Sequence, residues 1–250
     1  MIEVQDLWKS FGRQQVLRGV SLRVETGELM ALVGMSGCGK SILLKHLVGL
    51  IQPDRGKVFL ASQELAGLGR AELETLRGRI GFVFQSGALF DSMTVFDNVA
   101  FPLREKTGLG ESEIRAKTMV ALEQVGLQSA GEKYPAQISG GMVRRAALAR
   151  ALVRDPEIVL FDEPTTGLDP IVANSILELI ASVRRRLNFT GVIVSHDIPE
   201  IFGIVQKVAM LHEGRVIGVE KAGEVLRSGN PVIEQFVNGR PEGPLTAPLA

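Results

Sequence analysis

The sequence is poor in the side chains that build disulfides and metal clusters. Its 250 residues include one cysteine, Cys38, and three histidines. A lone cysteine excludes an internal disulfide framework and a multi-cysteine metal site, and it is typical of a reducing compartment. The chain also lacks an excess of charge of one sign, because 28 basic residues balance 28 acidic ones. This balance gives no electrostatic case for a nucleic-acid partner.

Long apolar runs are absent as well. No stretch approaches the roughly 18 consecutive apolar residues that indicate a membrane-spanning helix. Residues 1–6 carry acidic rather than basic side chains and lack the apolar segment of a secretory signal, which predicts a cytosolic location. With 45% hydrophobic and 22% charged residues, the composition is that of a globular protein with one core and room for an inserted subdomain.

Three short apolar runs predict strands that are buried on both faces. They span residues 29–33, 158–161 and 192–194. The first run leads into a glycine-rich loop and then into a helical pattern over residues 41–50. The other two runs end at polar residues. Because sites in open α/β sheets lie beyond the carboxyl ends of the strands, we expect these polar residues to converge.

Two further regions have recognisable patterns. Residues 16–24 alternate loosely between apolar and polar side chains, which predicts a small β-subdomain before the glycine-rich loop. Residues 111–125 have apolar side chains on one helical face, with Gly126 at the end. We predict a helical subdomain inserted at about residues 86–155.

The glycine-rich loop matches the phosphate-loop pattern over its full length. It consists of Gly34, Met35, Ser36, Gly37, Cys38, Gly39, Lys40 and Ser41. Glycines let successive backbone N–H groups turn inward on phosphates, and the following helix contributes about half a positive charge at its N-terminus. Lys40 is predicted to neutralise the terminal phosphates and Ser41 to ligate Mg²⁺. The alternative is a glycine turn that holds no ligand. Cys38 is expected to contribute mainly its backbone.

Two adjacent carboxylates follow the second predicted strand. Because side chains alternate in direction along extended backbone, Asp162 and Glu163 can divide two tasks. Asp162 is predicted to hold Mg²⁺ through water, and Glu163 to polarise an attacking water molecule. The alternative is a solvated acidic turn. Together with the phosphate loop, the pair predicts a nucleoside triphosphatase.

Ser139, Gly140 and Gly141 open an alanine-rich helical pattern that ends near Leu152. Ser139 can cap such a helix, and the two glycines permit close approach of a phosphate to its N–H groups. Taken alone, this sequence is a common helix cap. At this distance before the Asp-Glu strand, it is similar to the signature motif of ABC ATPases.

The resemblance to ABC ATPases extends from residue 2 to about residue 229. It implies an α/β fold with a RecA-like P-loop NTPase core, an N-terminal antiparallel β-subdomain and the inserted helical subdomain. It also implies an ATP-binding domain over residues 1–229, followed by a C-terminal extension over residues 230–250. In this family the signature of one subunit faces the phosphate loop of the other. The resemblance therefore implies a homodimer that takes ATP and Mg²⁺ as cofactors.

Four more residues acquire roles from the resemblance. Gln85 resembles the Q-loop glutamine that touches Mg²⁺ and the attacking water, and Asp169 the D-loop aspartate that crosses the dimer interface. His196 resembles the switch histidine at the γ-phosphate, and Phe11 the aromatic residue that stacks on adenine. Taken singly, they also fit a surface amide, a turn residue, a core histidine and a core phenylalanine. His46 and His212 are expected to be structural.

Several segments resemble one group within the family, the ATPase subunits of MCE-protein lipid transporters. The segments are residues 138–152, 84–95 and 231–239, with Gly243 and Pro244. Met142 stands where generic members often have glutamine, and Ile42 where they often have threonine. This resemblance implies a phospholipid cargo, an MCE-type substrate-binding protein and a place on the cytoplasmic face of the bacterial inner membrane.

Two apolar surfaces are predicted to contact partners. The segment from Gln85 to Val95 is expected to receive a helix of a membrane-embedded permease, through Ala88, Leu89, Phe90, Met93 and Val95. An ordinary subdomain core is the alternative for each of these residues. The tail carries an apolar stripe of Val232, Ile233, Phe236 and Val237, which is predicted to dock on the partner ATPase or on its own chain.

Other functions share parts of these patterns. An importer for an amino acid or an ion would contain the same nucleotide-binding residues. A soluble ABC ATPase of DNA repair or translation usually has tandem cassettes, zinc-binding cysteines or coiled-coil insertions, which this sequence lacks. A phosphate-loop kinase is disfavoured by the signature segment.

Overall fold

The computed structural model describes residues 1–245. The ten strands of this part are β1 (Ile2–Phe11), β2 (Gln14–Val24), β3 (Leu29–Val33), β4 (Arg55–Leu60), β5 (Gln63–Glu64), β6 (Ile80–Val83), β7 (Ile158–Asp162), β8 (Thr190–Val194), β9 (Lys207–His212) and β10 (Arg215–Lys221). Its seven α-helices are α1 (Lys40–Leu47), α2 (Arg70–Arg77), α3 (Val95–Lys106), α4 (Glu111–Gln124), α5 (Gly140–Leu152), α6 (Pro170–Leu187) and α7 (Pro231–Val237).

These elements form two compact units. One unit comprises Met1–Gly67 and the described residues from Val192 onward, and the other comprises Leu68–Gly191. The division falls within β8. The phosphate loop therefore belongs to the first unit, and the Asp-Glu pair and the signature segment belong to the second.

The first unit contains an antiparallel sheet with the strand order β2-β1-β4-β5. Ile2 is opposite Val24 on one side and Leu60 on the other. The pairing of β1 is irregular around Asp6, and Gly56 of β4 lies so close that a Cβ there would be 2.2 Å from the Asp6 carbonyl oxygen. This sheet is the predicted N-terminal antiparallel β-subdomain.

The first unit also positions the phosphate loop. Strand β3 pairs in parallel with β9, from Met30 opposite Lys207 to Val33 opposite Met210. All five residues of β3 are buried, as expected for a strand covered on both faces. Strand β10 pairs antiparallel with β9. The buried β3 thus delivers its carboxyl end, and the loop after it, to one edge of the sheet.

Helix α7 packs on the first unit. Ile233 is buried, and a Cβ at Gly218 of β10 would lie 2.6 Å from its Cδ1 atom. The chain beyond the helix folds back, because the Gln235 side chain accepts a hydrogen bond from the Leu245 N–H at 2.7 Å. Of the two predicted docking places for the apolar stripe, the structure contains the one on the same chain. Residues 246–250 of the predicted extension lie outside the described residues.

The second unit combines two parallel strands with a group of helices. Strands β6 and β7 pair in register from Ile80 opposite Ile158 to Val83 opposite Phe161. Helix α5 packs against α3, α4, α6 and β6, so it is the central helix of this unit. Its alanines allow the close approach, and four residues of its middle, Ala146 to Ala149, are all buried.

The local predictions agree with these elements in most places. The apolar runs at 29–33, 158–161 and 192–194 correspond to β3, β7 and β8, and the pattern over 111–125 corresponds to α4. The mixed α/β character is confirmed. The limits of the ATP-binding domain, of the inserted subdomain and of the extension stay predictions.

Two local predictions were wrong. Helix α1 ends at Leu47, and Leu50 is 58% exposed rather than on a buried helical face. The reason is Gly49, whose left-handed φ of 66° ends the helix. Val95 does not belong to an apolar surface, because it is completely buried in the first turn of α3. Ala88 and Phe90 are exposed as predicted.

Candidate functional site

The phosphate loop follows β3 and winds tightly around the Lys40 side chain. The Lys40 ammonium donates hydrogen bonds to the carbonyl oxygens of Gly34 at 2.8 Å and Met35 at 2.9 Å. Although lysine rarely lies inside proteins, Lys40 is only 6% exposed. The loop therefore fixes a positive charge within a curved stretch of backbone.

Two glycines of this loop are required by its shape. A Cβ at Gly34, where φ is 147°, would lie 2.1 Å from the Leu211 carbonyl oxygen. A Cβ at Gly39, where φ is 108°, would lie 2.9 Å from the Leu17 side chain. Gly39 is also the N-cap of α1 and has no side chain to occupy the N–H groups of the first helical turn. The loop and the helix start thus offer a cradle that fits phosphate oxygens.

The remaining loop residues line this cradle in different ways. Met35 is 45% exposed, whereas Cys38 is half-buried. Burial raises the pKa of the Cys38 thiol above its ordinary value, because a thiolate is poorly solvated there. The Cys38 N–H donates to the Met35 carbonyl oxygen at 3.4 Å, so its backbone helps to close the loop. Ser41 lies in the first turn of α1.

Gln85 and Glu163 are hydrogen-bonded to each other in the second unit. Gln85 follows β6, and Glu163 follows β7. Because the two strands pair in parallel, both residues lie at the carboxyl ends of the strands, next to each other. The Gln85 side-chain N–H donates to Oε2 of Glu163 at 3.0 Å. Asp162, the last residue of β7, precedes Glu163 directly. The sequence analysis assigned a role to each of these three residues but no contact between them. In the structure, Gln85 and Glu163 are in contact.

Thr166 was not predicted as a member of the site. Its hydroxyl donates to the same Oε2 atom of Glu163 at 3.0 Å. Glu163 itself has a left-handed φ of 49°, which is uncommon for a residue other than glycine. A hydroxyl residue three positions after a glutamate in a turn is the only sequence signal for this contact, and such a pattern is weak.

The signature segment opens α5 as predicted. The Ser139 hydroxyl accepts a hydrogen bond from the Met142 N–H at 3.3 Å and caps the helix. A Cβ at Gly141 would lie 2.7 Å from the Cγ1 atom of Val172 in α6, and one at Gly140 would lie 3.4 Å from Leu168. The two glycines therefore allow the first turn of α5 to lie against the chain that enters α6.

Asp169 has a structural role in the chain itself. Its Oδ1 atom accepts a hydrogen bond from the Val172 N–H at 3.0 Å and caps α6. Val172 is also the residue that Gly141 faces, so the start of α5 and the start of α6 are neighbours. The structure thus brings the predicted signature and D-loop residues into one region of the second unit.

Phe11 and His196 lie at exposed positions of the first unit. Phe11 ends β1 and is 47% exposed, with the Lys9 ammonium 5.6 Å from the ring centroid. His196 follows β8 and the buried Ser195, and it is exposed. The alternatives of a core phenylalanine and a core histidine do not fit these exposures. His46, by contrast, is a buried residue whose Nδ1 atom lies 2.8 Å from the Ile42 carbonyl oxygen, and burial lowers its pKa.

An aromatic groove lies in the second unit beyond Gln85. We use this name for the cavity of about 310 Å³ that is lined in part by Phe82, Phe84, Phe90, Phe101, Arg150 and Arg154. The rings form two tilted pairs, with centroids 4.4 Å apart for Phe82 and Phe84 and 5.0 Å apart for Phe90 and Phe101. Two of the rings are exposed, at 42% for Phe84 and 43% for Phe90. The groove therefore presents apolar surface with basic side chains at its wall.

Residues 1–245 contain neither a candidate membrane-spanning helix nor a candidate cluster of metal ligands. None of the helices in this range has both the length and the apolar character needed to cross a membrane. Within the same range, no group of three or more histidine, cysteine, aspartate or glutamate side chains is arranged to hold a metal ion.

Comparisons with known proteins indicate one family. The family described as ABC transporter matches residues 17–166. The chain is 41% identical to the intermembrane phospholipid transport system ATP-binding protein MlaF of Haemophilus influenzae, over 98% of this chain and 93% of that protein. It is 42% identical to the probable ribonucleotide transport ATP-binding protein mkl of Mycobacterium leprae, over 98% of this chain and 70% of that protein.

A solved structure of similar fold extends the comparison. It is the dimeric, post-hydrolysis state of the ATP-binding cassette MJ0796 bound to ADP and Pi. The TM-score is 0.81 at 31% sequence identity, and the match covers 89% of this chain and 99% of that chain.

Proposed function

Because the chain belongs to the ABC transporter family, we propose that it is the ATP-hydrolysing subunit of a transporter that moves phospholipid between membranes. The chain is an ATPase with the fold of this family, so the predicted family, fold class and type of enzyme are confirmed. The observation that carries the lipid assignment is the identity with MlaF, which extends over nearly all of both chains.

The phosphate loop of residues 34–41 is the proposed ATP cradle. The constrained glycines and the open helix start suit an anion, and Lys40 supplies the positive charge. Phe11, with its exposed ring, would stack on the adenine. His196 would contact the γ-phosphate. Each of these residues lies in the first unit of the chain.

Glu163 is the proposed general base. Gln85 and Thr166 donate to Oε2 of its carboxylate, which orients the group that would accept a proton from the attacking water. The proposed Mg²⁺ ligands are Ser41, Asp162 and Gln85, whose side-chain oxygens are of the kind that this ion prefers. When bound, Mg²⁺ neutralises negative charge on the phosphate oxygens.

A second copy of the chain is the proposed partner at the ATP site. Ser139, Gly140 and Gly141 open α5 and would face the nucleotide held by the other subunit, and Asp169 would lie at the same interface. Support comes from their shared region in the second unit and from the dimeric state of the MJ0796 cassette. The homodimer would then contain two composite sites related by a two-fold axis.

The aromatic groove is the proposed contact with a membrane-embedded permease. An amphipathic helix would place apolar side chains against Phe84 and Phe90, within the segment Gln85 to Val95 and its neighbours. The groove begins next to Gln85, which touches Glu163. Movement of the ATPase dimer would therefore reach the permease through the same segment that contacts the base.

The remaining partners and the location follow from the proposed transport system. The chain would work on the cytoplasmic face of the bacterial inner membrane, held there by the permease, in a complex with an MCE-type substrate-binding protein. The mkl protein suggests ribonucleotide as a second candidate cargo. The chain spans 93% of MlaF but 70% of mkl, so its length is closer to that of MlaF.

The proposed base is tested by Glu163→Gln in the purified chain. We expect ATP turnover to fall by about 10²- to 10⁴-fold, because an amide cannot accept the proton. The affinity for ATP should stay close to that of the parent, because the phosphate loop is unchanged. Glu178→Gln, an exposed change in α6, is the control and should retain the parent rate. Near-normal hydrolysis by Glu163→Gln would refute the assignment.

The proposed cargo is tested by purifying the chain with its membrane partners and identifying what travels with them by mass spectrometry. We expect permease subunits and an excess of phospholipid over a mock purification from the same membranes. Enrichment of ribonucleotides, amino acids or ions in place of lipid would contradict the lipid assignment and leave the ATPase assignment intact.

A further inference from the structure

Two different segments hold the Glu163 carboxylate. Gln85, in the segment after β6, and Thr166, in the turn after Glu163, each donate to Oε2 at 3.0 Å. Neither donor lies in a helix or a strand. The orientation of the carboxylate therefore depends on whatever fixes these two segments.

Helix α5 contacts both segments through arginine side chains. Arg144 donates from Nη2 to the Thr166 carbonyl oxygen at 3.0 Å. Arg150 donates from Nη1 to the Ala88 carbonyl oxygen and from Nη2 to the Gly87 carbonyl oxygen, both at 2.7 Å. Each arginine is half-buried, and burial lowers the pKa of both guanidinium groups.

The backbone that Arg150 holds has an unusual conformation. Gly87 and Ala88 both have left-handed φ angles, of 79° and 47°. A Cβ at Gly87 would lie 3.0 Å from Val143 and 3.5 Å from Ala147, so the segment also lies directly on α5. Two adjacent carbonyl groups then point at one guanidinium group, whose planar fork can bind both, whereas an ammonium group would act as a single point charge.

We infer that Arg144 and Arg150 are positioning residues for ATP hydrolysis, because they fix the two hydrogen-bond donors that orient the base Glu163. The inference rests on the proposed function of Glu163. Both arginines belong to the helix that begins at Ser139. A shift of α5 when Ser139 engages the partner's nucleotide therefore acts on the base of the same chain.

The single variants test whether the arginines act on turnover. Arg144→Met and Arg150→Met each keep the alkyl chain and lose the hydrogen bonds. We expect kcat to fall about tenfold or more, with the KM for ATP within about twofold of the parent, because misorientation of a catalytic group lowers the rate rather than binding. Arg150→Lys should recover only part of the loss. A raised KM with unchanged kcat would overturn the inference.

A neighbouring arginine on the same helix provides the matched control. Arg145 donates to the Val125 carbonyl oxygen at 3.3 Å, at the end of α4. Arg145→Met removes an arginine and a backbone contact from α5 without touching the segments beside Glu163, so its kcat should stay near that of the parent. An equal loss of kcat in all three methionine variants would overturn the specific role of Arg144 and Arg150.

Double variants identify the route of each effect. If Arg144 acts through Thr166, adding Arg144→Met to Thr166→Val should cause no further loss of kcat. Likewise, Arg150→Met should add nothing to Gln85→Ala. Losses that multiply fully in both pairs would show independent structural effects and overturn the inference. If a methionine variant does not fold, Arg150→Lys and Thr166→Val supply the same comparison.

The same variants separate the positioning role of the two arginines from the role of Glu163 as the base. If Glu163→Gln abolishes turnover while Arg144→Met and Arg150→Met retain the parent kcat, the base is correct and the positioning role is wrong. If Glu163→Gln retains turnover, the proposed base is itself wrong.

Discussion

Glu163 is held in place by its own backbone as well as by its neighbours. A left-handed conformation costs about 1–2 kcal/mol for a residue with a side chain, and Glu163 adopts it directly after a buried strand. The hydrogen bonds from Gln85 and Thr166 offset part of this cost. Strain of this kind persists only where the surroundings fix it, and it is common at catalytic residues. The unusual φ therefore supports the proposed role of Glu163.

Cys38 gives a direct chemical probe of the phosphate loop. Because burial raises the pKa of its thiol, less of the reactive thiolate is present at pH 7 than in a free cysteine. We expect maleimide to label the folded chain more slowly than the chain unfolded in urea, with a rate that rises with pH as more of the thiolate forms. Saturating ATP should slow the labelling further. As the only cysteine, Cys38 can be followed by intact mass without mutation.

The absence of ATP protection would contradict the proposed cradle. ADP provides a second check, because it should also protect Cys38 if the phosphates lie in this loop. Adenosine without phosphate should leave the labelling rate unchanged.

At the scale of elements, the structure and the sequence agree where a local pattern determines the element. Strand β3 and the loop after it follow from five apolar residues and a full phosphate-loop motif. The end of α1 was missed, because Gly49 stops the helix before Leu50 although the apolar spacing continues. Val95 is apolar like its exposed neighbours between Gln85 and Val95, so the sequence does not distinguish it from them. Its burial follows only from its packing in α3.

The functional site also contains residues that a local pattern predicts and residues that it does not. The phosphate loop, the Asp-Glu pair and the signature residues Ser139, Gly140 and Gly141 are contiguous motifs, so they could be predicted from the sequence. The contacts of Arg144 and Arg150 could not, because they join positions distant in sequence and end at backbone carbonyl groups, which residue type does not determine. The contact of Thr166 with Glu163 is local, but a hydroxyl residue three positions after a glutamate is too weak a pattern to predict it.

Helix α7 should depend on the contact between Ile233 and Gly218. Gly218→Ala would place a Cβ 2.6 Å from Ile233 Cδ1, so we expect the change to destabilise the chain by about 1–3 kcal/mol in urea unfolding. In the Ile233→Ala background the same Cβ has room, and its cost should largely disappear. Val219→Ala on the same strand is the control, because Val219 is exposed and should cost little. Equal costs of Gly218→Ala in both backgrounds would contradict this docking.

The proposed ATP site needs two copies of the whole molecule. The residues proposed to bind ATP lie in the first unit, whereas the signature residues of the same chain are proposed to serve the partner. An exposed apolar residue supports a contact near the signature, since Ile171 is 84% exposed in the first turn of α6, two residues after Asp169. Because single exposed isoleucines are common on protein surfaces, exposure alone does not indicate an interface. Ile171 supports a contact here because it lies beside Asp169.

The composite ATP site is tested by the mass in solution of Glu163→Gln with and without ATP and Mg²⁺, measured by sedimentation velocity. We expect the mass of one chain without nucleotide and of two chains with ATP, because the variant should bind ATP without hydrolysing it. Adding Ser139→Arg should keep ATP binding and return the mass to that of one chain. A Glu163→Gln chain that binds ATP and stays at the mass of one chain would contradict the composite site.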